Sequence, residues 1–85
     1  MKGAKIMKST VNSKEDLAEF IDALRKNFLE SPSEWENPTV DRFLDAMSAW
    51  VRSMDNCYRN VGKEPPTLPS WSTFADILAA ARVYE

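Results

Sequence analysis

The chain has 85 residues, 44% hydrophobic and 28% charged, with 11 Lys plus Arg against 13 Asp plus Glu. That is one domain's worth of chain, too apolar to stay disordered, and its net charge of -2 lacks the basic face with which a nucleic-acid binder displaces counterions. With no histidine and one cysteine, Cys57, it also lacks the usual general base, the Ser-His and Cys-His nucleophile pairs, an internal disulfide and a thiolate metal site.

The two glycines, Gly3 and Gly62, lie 59 residues apart, which excludes a glycine-rich phosphate loop. No apolar run approaches the roughly 18 residues of a membrane span. A lone cysteine suits a reducing compartment, so a cytoplasmic location is expected. The residue inventory predicts neither a cofactor nor a metal.

Residues 1–10 carry Lys2, Lys5 and Lys8 without a signal-length apolar stretch, and read as a disordered basic tail. Met7 offers a second start codon, which would make the first six residues an extension. The tail holds +3, so the remaining 75 residues hold -5. Residues 11–85 read as a single helical domain.

Its first element is a helix over residues 13–29. Leu17, Phe20, Ile21, Leu24 and Phe28 recur at spacings of three and four, on one face of a 3.6-residue period. Asn12 or Ser13 serves as N-cap, with Glu15 or Asp16 in the capping-box position. Asp22 and Lys26 form an i,i+4 pair on the opposite face.

Ser31 to Thr39 is a loop broken by Pro32 and Pro38. Asn37-Pro38 reads as a helix start, with Asn37 as N-cap and Pro38 at the first helical position, where no hydrogen bond is lost. The second helix runs from Pro38 to Asn60. Its stripe is the widest in the chain: Val40, Phe43, Leu44, Met47, Trp50, Val51, Met54 and Tyr58. Asp55-Asn56, both poor helix formers, mark a point of weakening, and Gly62 supplies a left-handed residue after the end.

The second connection, Val61 to Pro69, holds three prolines and is stiff and extended. Ser70 caps a third helix that reaches the last residue. Trp71, Phe74, Ile77, Leu78, Ala81 and Tyr84 form its buried face, with Leu68 or Pro69 stapled onto Phe74. The pattern predicts an all-α fold: a small three-helix bundle with a long central helix, packed between the other two, and two proline-marked loops.

Trp35 and Trp71, beside prolines at helix starts, either present an aromatic interaction surface or close the ends of a small core. Glu34, Glu36, Asp41 and Asp45 cluster around the start of the second helix. They read either as an electrostatic patch for a basic partner or as a solvated face that favours the helix dipole. Pro66-Thr67-Leu68-Pro69 has the spacing of a polyproline ligand but sits in a connector. Cys57, near Met54 and Tyr58, reads as a half-buried inert thiol. Arg52, Asp55 and Arg59 form a supporting polar strip.

The blocks Trp35-Glu36-Asn37-Pro38-Thr39, Phe43-Leu44-Asp45-Ala46, Pro69-Ser70-Trp71 and Tyr84-Glu85, with Trp50 and Phe74-Ala75 between them, resemble a family of short bacterial proteins of unknown function. The resemblance spans Val11 to Glu85. It implies no activity, cofactor or binding residue. Such proteins loosely resemble immunity proteins, which neutralise a toxin by binding it.

The expected function is therefore a non-catalytic protein-binding module. Its preferred form is an immunity-like protein whose acidic surface at Glu34, Trp35, Glu36, Asp41 and Asp45 covers a basic site on a toxin. The other form is a homodimeric scaffold or regulator joined through Trp35 or Trp71. Neither nucleic acid nor a membrane is an expected partner.

Overall fold

A computed structural model describes residues 10–84. Three helices form among them, and no strand: α1, Lys14–Glu30; α2, Val40–Asn60; and α3, Trp71–Ala81. A 3-10 turn, Pro32–Glu34, follows α1. The basic tail falls almost wholly outside the described residues.

The helix starts follow local chemistry. Ser13 caps α1, its Oγ accepting from the Asp16 N–H at 3.1 Å, while the Asp16 carboxylate reaches back to the Asn12 N–H at 3.0 Å. Ser70 caps α3 through the Thr73 N–H at 3.1 Å. α2 departs from expectation: Thr39 is its N-cap, accepting from the Arg42 N–H at 3.2 Å, and the helix begins at Val40. Asn37 does not cap α2, because tertiary bonds to α3 occupy it.

α2 continues unbroken through Asp55 and Asn56 and ends in a Schellman motif. Gly62 has φ +77°, its N–H donates to the Arg59 carbonyl at 3.0 Å, and the Lys63 N–H donates to the Tyr58 carbonyl at 2.9 Å. α3 stops at Ala81, short of the chain end. The expected docking of that end holds nonetheless: the Tyr84 N–H bonds the Ala80 carbonyl at 2.9 Å, and the Tyr84 carbonyl accepts from Asn37. Glu85 lies outside the described residues.

The packing order corrects the sequence expectation. α3, not the long α2, is the shared partner; α1 and α2 each pack on α3 and do not approach one another at backbone distance. The physical reason is on α3's surface. Its buried positions are Thr73, Ala75, Ala79 and Ala81, small side chains that let neighbouring backbones come close. The core gathers Val11, Phe20 and Leu24 against Ala75 and Ala79, with Leu17, Trp35 and Leu78 closing it. On the other side, Ala46 and Trp50 are the buried residues of α2.

The buried face of α3 is thus rotated away from the expected one. Trp71 and Phe74 are exposed, Leu68 is not stapled, and Ile77 and Leu78 are half-buried. α1 and α2 are partly open as well: Ile21, Val40, Leu44 and Val51 of the predicted stripes face solvent. Cys57 is half-buried, as expected.

At the α2–α3 seam the Tyr58 hydroxyl donates to Asp76 Oδ2 at 2.5 Å. Burial pushes the Tyr58 phenol pKa well above its usual range. The hydrogen bond to Asp76, and then the charge of that carboxylate, push it further. Lys26 pairs with Glu30, at 4.0 Å, rather than with Asp22.

Candidate protein-binding surface

The 3-10 turn delivers Trp35 to the gap between α1 and α2. The Ser31 N–H bonds the Asn27 carbonyl at 2.8 Å, ending α1, and the Trp35 N–H bonds the Pro32 carbonyl at 3.1 Å. The chain then turns extended at Trp35. The indole meets Phe28 of α1 edge-on, centroids 5.1 Å apart, and lies nearly parallel to Phe43 of α2 at 5.8 Å. Its Nε1 donates to Asn27 Oδ1 at 2.8 Å. Trp35 is thus a wedge between two helices whose backbones do not approach one another.

A second set of bonds anchors this end of the fold. Asn37 is buried. Its Nδ2 donates to the Ala81 carbonyl at 3.1 Å and to the Tyr84 carbonyl at 2.9 Å. Its backbone N–H donates to the Arg82 carbonyl at 3.2 Å. Three carbonyls left without intrahelical partners at the end of α3 are satisfied by one residue. Arg82 is buried beside them, its Nη1 at 3.5 Å from Asn27 Oδ1, and its Nε has no partner among the described residues.

Over this base lies an open trough of about 320 Å³ between α1 and α2. Ile21 and Phe28 line it from α1, Val40 and Phe43 from α2, Leu78 from α3, and Trp35 from the loop. Arg25 and Pro38 stand at its edges. Val40 is 77% exposed, so the trough carries apolar surface that the fold leaves uncovered.

Of the residues singled out in the sequence, Trp35 is a half-buried wall of this trough rather than a free aromatic. Glu34 and Glu36 bracket it in the chain and are exposed; the Glu36 carbonyl accepts from Arg42 Nη2 at 2.6 Å. Asp41 and Asp45 are also exposed. At about 100° of helical rotation per residue they are turned about 100° and 140° from Val40, on the outer face of α2 and off the trough.

Sequence reasoning placed Ile21, Phe28, Val40 and Phe43 in a closed core and missed the trough they line. The available signal was the width of the α2 stripe, which is more than one neighbouring helix covers. Asn27, Asn37 and Arg82 carried no such signal, because their bonds span up to 55 residues of sequence.

Among the described residues no group of three or more His, Cys, Asp or Glu is placed to hold a metal ion. Nor is any helix there long and apolar enough to cross a membrane. Searches of curated proteins and of solved structures return no match. A family model, described as a family of unknown function, DUF7660, matches residues 13–85. With nearly the whole helical region covered by that model, the chain belongs to the DUF7660 family of unknown function.

Proposed function

We propose that this chain is a non-catalytic protein-binding module that receives an apolar segment of a partner in the trough between α1 and α2. The observation that carries the reading is the trough itself: an apolar cleft walled by three aromatic rings already packed together, Phe28 edge-on to Trp35 and Trp35 stacked on Phe43. A wall fixed before binding loses little side-chain freedom on association. The exposed acids Glu34 and Glu36, either side of the Trp35 wall in the chain, and Asp41 and Asp45 on the outer face of α2 favour a partner with a basic surface around its apolar anchor. An immunity-like protein that covers a basic site on a bacterial toxin is the form of this function that best suits the small size and acidic body of the chain.

The test is titration calorimetry against the protein encoded next to it. Val40→Lys, which puts a long charged chain into the trough, weakens binding by about tenfold or more, equal to about 1.4 kcal/mol. Asp41→Lys with Asp45→Lys slows association and flattens its salt dependence. Binding untouched by Val40→Lys rejects the trough, and binding untouched by the double reversal rejects the acidic surface.

A further inference from the structure

We infer that the exposed heptad stripe of α2, Val40, Leu44, Met47 and Val51, is the docking strip for a basic amphipathic helix of a protein partner. This rests on the reading of the chain as a binding module and names the kind of segment that reaches the trough, whose wall includes Val40.

The first observation is spacing. The four residues follow one another at intervals of four, three and four, the a and d positions of a heptad. At about 100° of rotation per residue they fall within about 60° of one another, and the stripe runs about 16 Å along α2. Val51 is turned about 100° from Trp50, which α2 buries, so the stripe is not the face that holds α2 to the fold. Val40 is 77%, Leu44 55% and Val51 42% exposed, and Met47 is half-buried.

The second is what such a surface accepts. None of the four side chains offers an N–H or O–H donor or an oxygen acceptor. An extended segment pressed onto them covers its own backbone groups without pairing them, whereas a helix pairs its own. Alternating intervals of three and four are also the row of holes into which the side chains of a second helix fit.

The third observation selects the charge of that helix. On one flank of the stripe, Phe43 packs on Trp35 and Trp50 on Tyr58. The other flank holds Asp41, Ser48 and Asp55, all exposed, and neither carboxylate has an ion-pair partner among the described residues. Arg52 and Arg59 stand one row further from the stripe. Lysine or arginine at the partner's flanking positions therefore meets Asp41 and Asp55 first, and flanking charges choose the partner of a heptad stripe. A second copy of this chain does not suit the same strip. Antiparallel pairing sets the acid flank of one copy against the acid flank of the other. Parallel pairing sets it against Phe43 and Trp50, where a carboxylate loses water and gains no partner.

A synthetic helical peptide of about 20 residues is the probe, with leucine at its heptad core positions and lysine at the flanking ones. Its controls are the same peptide with glutamate for lysine, and a scrambled lysine peptide of identical composition. Fluorescence anisotropy of the labelled peptides against the full chain should show the lysine peptide binding about tenfold or more tighter than either control. Leu44→Lys and Val51→Lys should each weaken it by about tenfold or more, as loss of a central anchor does. Both side chains are exposed, so helix content by circular dichroism should not change. Asp41→Asn with Asp55→Asn removes charge without touching the stripe, and should narrow the preference for lysine over glutamate. Ile21→Lys, on the α1 wall of the trough and off the stripe, should leave peptide binding unchanged. A lysine peptide that does not bind overturns the inference, as does one bound no better than its scrambled or glutamate counterpart. Binding lost on Ile21→Lys but indifferent to Leu44→Lys and Val51→Lys also overturns it, while leaving the trough reading in place.

Discussion

Replacing Asn37 with alanine tests whether one side-chain amide ties the loop after α1 to the end of α3. The amide donates at 3.1 Å to the carbonyl of Ala81, a fully buried residue, and at 2.9 Å to that of Tyr84. Alanine leaves both acceptors unpaired. A buried acceptor stripped of its partner costs about 1–3 kcal/mol; Tyr84 lies nearer solvent, where water replaces part of the loss, so the pair is worth about 2–4 kcal/mol. A domain of this length is stable by roughly 4–13 kcal/mol, so the change consumes a large fraction of the total. Thermal melts followed by circular dichroism should show a drop of about 10–25 °C. Hydrogen exchange should quicken first at the Val83 and Tyr84 amides, the final bonds of the α3 end. Asn37→Asp, of the same shape but without a donor, turns a carboxylate toward two carbonyls and should be no milder at neutral pH. Thr39→Ala, which removes an exposed cap, should cost about 1 kcal/mol by comparison. Asn37→Ala within about 0.5 kcal/mol of the parent, the scatter of ordinary surface substitutions, refutes the clamp.

Tyr58→Phe removes the hydroxyl bonded to Asp76 and should destabilise by about 1–2 kcal/mol in urea titrations at neutral pH. The folded protein holds the Tyr58 proton more tightly than the unfolded chain, so this stabilisation is complete below pH 10 and is lost as pH rises above it. The parent's urea midpoint should therefore fall more steeply than the variant's on the alkaline side; parallel curves contradict the assignment. Ala79→Leu drives three extra heavy atoms into a position that is 2% exposed between α1 and α3, at a cost of about 1–3 kcal/mol or more. A neutral result in the same titration would mean that the alanine face of α3 is not what brings the helices together.

The elements were legible in the sequence because each is fixed locally. Ser13 and Ser70 cap as expected, Gly62 takes the left-handed conformation, and the three apolar periodicities mark three helices. Packing order was not legible, because large side chains were weighed as the evidence of burial. On α3 the reverse holds: Ala75 and Ala79 are inside, while Trp71 and Phe74 are outside. A helix gripped from two sides needs slender positions, and a hydrophobic count cannot separate a slender contact face from a weak one. Asn37 shows the same limit. Its position before a proline is that of an N-cap, and a local rule cannot see three carbonyls arriving from the other end of the chain. For the surface, Glu34, Glu36, Asp41 and Asp45 are exposed as their charge requires, yet the apolar trough on the other face of α2 was hidden among residues assigned to the core.

Why the trough stays open follows from the same packing. Three helices that closed into a triangle would bring α1 against α2 and cover Ile21, Val40 and Leu44. α1 and α2 instead spend their best-packed residues Phe20, Ala46 and Trp50 away from the trough, and only Leu24 reaches both the core and the trough's floor. The remaining gap is set by the Phe28–Trp35–Phe43 stack, whose rings span it at 5.1 and 5.8 Å. Trp35 is itself fixed on one side by Asn27, which also faces Arg82, and the loop beyond it is fixed by Asn37. Closing α1 onto α2 would break that stack and the indole hydrogen bond together. The separation of the two helices is therefore built into the fold, and the exposed apolar walls are the consequence of a wedge that the polar clamp beneath it holds in place.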